Sequence, residues 1–149
     1  MRFLLMIIWA ALLVLSGHLP CLAVGADHVG IIKTLSGDVV IVRNGTTIKA
    51  EGNMKLLKGD QISTGANGKA GLIFEDDTVI SIGANSRIVI DDFMFQPSEK
   101  KLSFIARIIQ GTASYLSGQI AKLAPNLVRL VTPHATVGMR GTHVLVKVD

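Results

Sequence analysis

From Val29 onward, apolar and polar residues alternate in short bursts, and turn-forming residues interrupt the bursts about every ten positions. Alternation at period two places successive side chains on opposite faces of a strand. Gly30–Leu35 and Asp38–Arg43 are two such runs, separated by Ser36-Gly37. Asn44-Gly45 then favours a tight hairpin, with Thr46–Ala50 as the returning strand and Gly52-Asn53 as its end. After the turn Leu57-Lys58-Gly59-Asp60, the run Gln61–Thr64 is extended, and Gly65–Gly68 turns again. Lys69–Phe74 sets Ala70, Leu72 and Phe74 on one face. Past the acidic turn Asp76-Asp77, Thr78–Ile82 does the same with Thr78, Ile80 and Ile82, and after Gly83-Ala84-Asn85 the run Arg87–Ile90 pairs Ile88 with Ile90.

Asp91–Lys101, with Pro97-Ser98-Glu99-Lys100 inside it, is expected to be a polar loop. Leu102–Gln110, Ala113–Leu116 and Leu127–Thr132 are further strands, with Gly111-Thr112 between the first two. The only local helical candidate is Ser117–Leu123, with Ser117 as the cap and Ile120 and Leu123 on one face, closed by Pro125-Asn126. Many short strands with regular turn signals predict one all-β domain. Its expected form is a compact roll or solenoid-like stack of short hairpins, with a β-sandwich as the alternative.

The first 26 residues follow a different pattern. Arg2 precedes an unbroken apolar run, Phe3–Leu15, which Ser16-Gly17 and Pro20 terminate. That length suits the apolar region of a signal peptide and falls short of the roughly 20 residues a spanning helix needs. The small residues Ala23-Val24-Gly25-Ala26 offer the cleavage site, best placed after Ala26. The domain division is therefore 1–26 as leader and 27–149 as the folded unit, and the expected location is the periplasm or the exterior. An uncleaved N-terminal anchor is the competing reading.

Export changes how the composition is read. Cys21 is the sole cysteine and Trp9 the sole tryptophan, and both fall in the leader. The exported chain cannot form an internal disulfide, so its stability must come from a packed core. It carries 14 Lys and Arg against 11 Asp and Glu, spread along the chain. A nucleic-acid partner is not expected, because that needs a basic stripe with interleaved aromatics.

Candidate chemistry is sparse. Asp60, Asp76 and Asp77 lie in turns, but no loop supplies the six to eight oxygens that calcium takes. His134 and His143 stand nine residues apart without a neighbouring cysteine, a spacing that matches no compact zinc pattern. Ser103, Ser114 and Ser117 lack a nucleophile-elbow context. The expectation is a non-enzymatic protein with no cofactor, no metal and no evident small-molecule substrate.

The most distinctive stretch is Thr132-Pro133-His134-Ala135-Thr136-Val137-Gly138-Met139-Arg140-Gly141-Thr142, followed by the apolar run His143–Val148. Ala135, Val137 and Met139 share one parity, whereas Val144, Val146 and Val148 share the other. The strand must change phase between them, with Gly141-Thr142 as the expected bulge, or else Arg140 is partly buried. A buried arginine needs a carboxylate or several carbonyls, and Asp60, Asp76 and Asp77 are the candidate partners.

This closing stretch resembles the end of FecR-type domains, TP-x-A-x-x-G-x-RGT and then an apolar strand. Three earlier blocks resemble the same family in the same order. They are Gly30–Val39, Leu56–Gly65 with Gly59-Asp60 and Thr64-Gly65, and Gly68–Ile82 with Asp77-Thr78. The resemblance implies a periplasmic domain that relays signals in the cell envelope. Gly59, Asp60, Asp77, Thr132, Pro133, Gly138, Arg140, Gly141 and Thr142, which carry these motifs, are the candidates for a structural or interaction role. The expected function is a binding or signal-sensing module whose partner is another envelope protein. The alternative is a structural protein that packs into an envelope assembly or onto peptidoglycan.

Overall fold

The computed structural model describes residues 27–149, and the leader read at 1–26 lies outside the described residues. The chain forms a curled, mainly antiparallel half-barrel. Its strands are β1 (Gly30–Ser36), β2 (Val39–Arg43), β3 (Thr46–Lys49), β4 (Lys55–Leu56), β5 (Gln61–Thr64) and β6 (Lys69–Phe74). They continue as β7 (Val79–Ile82), β8 (Arg87–Gln96), β9 (Lys101–Leu116), β10 (Val128–Val131), β11 (Thr136–Gly138) and β12 (His143–Val148). One short helix, α1 (Gln119–Leu123), follows β9.

The all-β expectation matches this structure, and most predicted strands fall within a residue or two of their places. The pairing, however, is not that of a solenoid-like stack. β1 and β2 are neighbours in sequence yet do not pair: β1 lies between β4 and β6, and β2 between β3 and β5. The turn at Ser36-Gly37 thus carries the chain from one half of the sheet to the other.

The two halves share β9. Its first ten residues pair with β8 on one side and in parallel with β10 on the other, and its last six lie between β7 and β12. The change of partners falls at Gly111, whose φ of 86° belongs to the left-handed region. A Cβ there would stand 2.2 Å from the Ser86 hydroxyl and 2.5 Å from the Ser86 Cα. Only glycine lets the long strand bend this close to the neighbouring turn.

Two strand features differ from the pattern reading. β8 runs on to Gln96, where a polar loop was expected, because a bulge between Ile90 and Asp92 re-phases it and lets Phe93 enter the interior opposite Phe104. The two-residue strand β4 was too short for any periodicity to show.

Inward residues of both halves form one core, with Ile32, Leu72, Ile80, Ile62, Ile88 and Ile108 fully enclosed. At its centre Phe104 packs edge-on against Phe74, Phe93 and Tyr115, with centroids 5.0, 5.9 and 5.7 Å away. Such contacts add about 0.5–1.5 kcal/mol each beyond area burial. This core takes the place of the missing disulfides.

Candidate interaction site

The carboxylates nominated as partners for Arg140 are engaged elsewhere. Asp60 is only 1% exposed and accepts Arg43 Nε at 2.9 Å and Nη2 at 2.7 Å. It also accepts the Leu57 amide at 2.8 Å, while Arg43 Nη2 reaches the Lys55 carbonyl. The Asp60 hydrogen bonds and charge hold the Arg43 guanidinium above its ordinary pKa. This pair ties the β2–β3 hairpin to the turn before β5. The preceding Gly59 gives its amide to the Ile90 carbonyl at 2.7 Å, which pins the same turn to β8.

Asp76 is also buried. It accepts the Thr78 amide at 3.1 Å, the Thr78 hydroxyl at 2.8 Å and the Ile120 amide at 3.2 Å. The Asp76 carbonyl accepts the Gln119 amide as well. A carboxylate at a helix N-terminus satisfies amides that have no partner inside the helix. Ser117, the expected cap, makes no capping bond; the cap comes from 44 residues earlier in the chain. Ile120 is buried as expected, whereas Leu123 is 60% exposed, because five residues make too little helix to present both to the core. Asp77 is exposed with φ 67°, and among the described residues its carboxylate receives only the Gln119 side chain.

Pattern reading thus passed over Arg43 and missed the helix-capping role of Asp76. A signal for Asp76 existed: it continues the inward series Ala70, Leu72, Phe74 through to Thr78, Ile80 and Ile82. Arg43 carried no such signal. Close to the Asp76 site, Tyr115 Oη is buried with no hydrogen-bond partner among the described residues. Burial pushes its pKa up, and the Asp76 charge adds to it.

The closing motif is largely at the surface, although Met139 is buried in the core and Val137 packs against it. Thr132 shuts the β10–β11 turn, accepting the Ala135 amide at 3.0 Å, with Pro133 and His134 exposed at the tip. Arg140 is exposed and makes no ion pair or hydrogen bond among the described residues, so the alternative of a partly buried Arg140 held by a turn carboxylate does not hold. The parity change is real, but it arises because the chain leaves the half holding β11 and joins the half holding β12. The segment Met139–Thr142 is that crossing, not a bulge within one strand. Gly141 takes φ 146° there, and Thr142 accepts the Ser117 amide at 2.9 Å. Gly138 is exposed with open space where a Cβ would stand. It lies opposite Arg129, beside a shallow depression of about 360 Å³ that Asn126, Met139 and Arg140 also line.

The structure therefore divides the nominated residues. Gly59 and Asp60 tie the turn before β5 to its neighbours, whereas Asp77, Pro133, Gly138, Arg140, Gly141 and Thr142 are exposed and Thr132 is half-buried. Neither group collects a set of reactive side chains. The structure does join one serine to a histidine, Ser114 Oγ to His143 Nε2 at 2.7 Å. Both lie on an exposed sheet face, and no carboxylate orients the ring among the described residues. His28 meets Glu75 at 2.7 Å, and no group of three metal-ligating side chains occurs among the described residues.

What fold and residues define is an all-β module whose buried polar groups serve its own architecture and whose distinctive arginine, Arg140, faces outward. The chain belongs to the FecR family: the family model described as FecR protein matches residues 60–149. The match takes in Asp60 and the whole closing motif. FecR is a regulatory sensing family and is typically envelope-associated. No helix among the described residues is long and apolar enough to cross a membrane. A solved structure described as a cell surface anchoring domain is similar at 27% identity, covering 41% of this chain and 82% of its own, with a TM-score of 0.40. Comparison with curated proteins gives no match.

Proposed function

We propose that this chain is a non-enzymatic signal-sensing module of the cell envelope, exported to the periplasm and freed of residues 1–26, which acts by binding another envelope protein. The observation that carries this reading is the division of labour among its polar residues. The buried ones (Asp60, Asp76, Thr64, Thr78, Ser86) are spent on joining strands and capping α1, while in the family's closing motif Met139 enters the core and Arg140 stands at the surface. Exposed polar residues of the motif that the core does not require, Arg140 first among them, are available for recognition. The apolar run Phe3–Leu15 with its small-residue exit supports export.

The test is site-specific photocrosslinking in intact cells, with the crosslinker at Arg140 or at Thr47 on the far hairpin. The expected result is one discrete adduct from the Arg140 position, formed by a protein whose intact mass shows loss of residues 1–26. Crosslinks to peptidoglycan, or retention of Met1 in a membrane-bound product, would overturn the reading.

A further inference from the structure

β12 is an open sheet edge. It pairs with β9 alone among the described residues, and its six residues contain no proline and no bulge. Val146 and Val148 face the core, whereas His143, Leu145 and Lys147 face outward. Leu145 is 69% exposed and its neighbour Leu116 is 47% exposed.

The register extends this into a surface. Ile31, Ile73, Val79 and Leu116 lie side by side across four strands and lead to His143. The next row, Thr34, Gly71, Ser81 and Ser114, leads to Leu145. The outer face is thus an apolar ridge beside a row of small residues, and both rows end at the free edge. Natural proteins protect such an edge with charge, proline or a bulge. Here the only charged side chain along it is Lys147, which meets Asp149 at 3.4 Å in a largely exposed pair.

The charge pattern says what fits. From Lys101 to Asp149 the chain has six Lys and Arg against a single acid, Asp149. Lys101 and Arg107 are matched by Glu99 and Asp91, but Lys122, Arg129 and Arg140 have no ion-pair partner among the described residues. A second copy is disfavoured. An antiparallel two-fold centred on Leu145 would set His143 against Lys147 twice and bring two basic segments together.

We infer that the β12 edge takes an extended acidic segment of the partner protein as an added antiparallel strand. This rests on the binding-module reading above and names the partner's chemistry. Strand addition supplies backbone hydrogen bonds, and alternate side chains supply specificity. Opposite Lys147 and His143 the segment carries carboxylates, and opposite Leu145 a large apolar side chain. Opposite Val146 and Val144 it carries β-branched residues that extend the core outward. The recognised pattern is acid, three apolar residues, acid.

The test uses the chain from Asp27 and an end-blocked, labelled peptide with the centre Glu-Val-Leu-Val-Glu, read by fluorescence anisotropy. The expected result is saturable binding that weakens with salt and falls at least about tenfold with Leu145→Asp or Lys147→Glu. The Lys147→Glu chain should prefer the Lys-Val-Leu-Val-Lys peptide, which a structural role for Lys147 would not produce. Equal affinity for both peptides, binding unaffected by Leu145→Asp, or self-association through this edge in sedimentation would overturn the inference. A crosslinked partner at Arg140, with no peptide binding at β12, would remove the edge proposal and leave the sensing reading standing.

Discussion

Replacing Asp60 with Asn removes the charge from a carboxylate that is 1% exposed and accepts three hydrogen bonds, two of them from one guanidinium. Arg43 is then left with an amide that can accept at only one of the two positions. Breaking a buried ion pair costs about 3–5 kcal/mol. Arg43 keeps 26% of its side chain in solvent, so water recovers part of its loss, and the low end of that range, about 3 kcal/mol, is expected. The control is Asp91→Asn, which removes a second two-bond arginine pair, to Arg107. There the arginine is 48% exposed and the carboxylate 28%, so solvent already screens the charges and the expected loss is about 0.5 kcal/mol. Urea melts of the wild type and both variants, analysed at a common m-value, measure the difference. Arg43→Ala should cost about as much as Asp60→Asn, and the double variant should cost much less than the sum. The reasoning fails if Asp60→Asn costs under about 1 kcal/mol, or no more than Asp91→Asn.

Gly111→Ala should destabilise by at least about 3 kcal/mol, because a positive φ and a backbone clash with Ser86 act together, whereas Gly138→Ala should be neutral within about 0.5 kcal/mol; thermal melts separate the two. Tyr115→Phe removes a buried hydroxyl without a partner and should leave stability unchanged or raise it by up to about 1 kcal/mol. Because burial raises the Tyr115 pKa, the stability it contributes is complete below the ordinary tyrosine value, near 10, and is lost as pH rises through the folded value. Phenolate absorbance should therefore appear only with alkaline unfolding, and a normal tyrosine titration in the folded protein would contradict this. Asp92 behaves in the opposite sense: hydrogen bonds from Lys58 and Ser103 lower its pKa, so its contribution is complete above the ordinary carboxylate range and is lost as pH falls through the depressed value. Asp92→Asn should flatten the acid limb of the stability profile, and an unchanged limb would contradict that assignment.

Strand positions in this chain were legible because the signal is local. A strand with one buried face must alternate, and a tight turn must use Asn-Gly, Gly-Asp or similar pairs, so β2, β3, β5, β6 and β7 could be placed from a few residues each. The same locality made the all-β class plain, and made the four FecR-like blocks recognisable in order. Partner choice was not legible. Nothing within Gly30–Arg43 says that β1 and β2 part company, because the pairing energy comes from β6 and β5, which lie far along the chain. The polar ties were hidden for the same reason. Asp60, Asp76 and Asp77 look alike as turn aspartates. Only the folded chain brings Arg43 to the first and the α1 amides to the second, and leaves the third in solvent. Arg140 shows the converse. Its parity suggested burial, and the parity change was real, but its cause is a crossing between the two halves of the sheet that exists only once β10 and β9 have fixed where β11 and β12 lie. Periodicity records which face of a strand meets the core, whereas the identity of the neighbour is set by contacts between residues distant in sequence, and those form only in the tertiary structure.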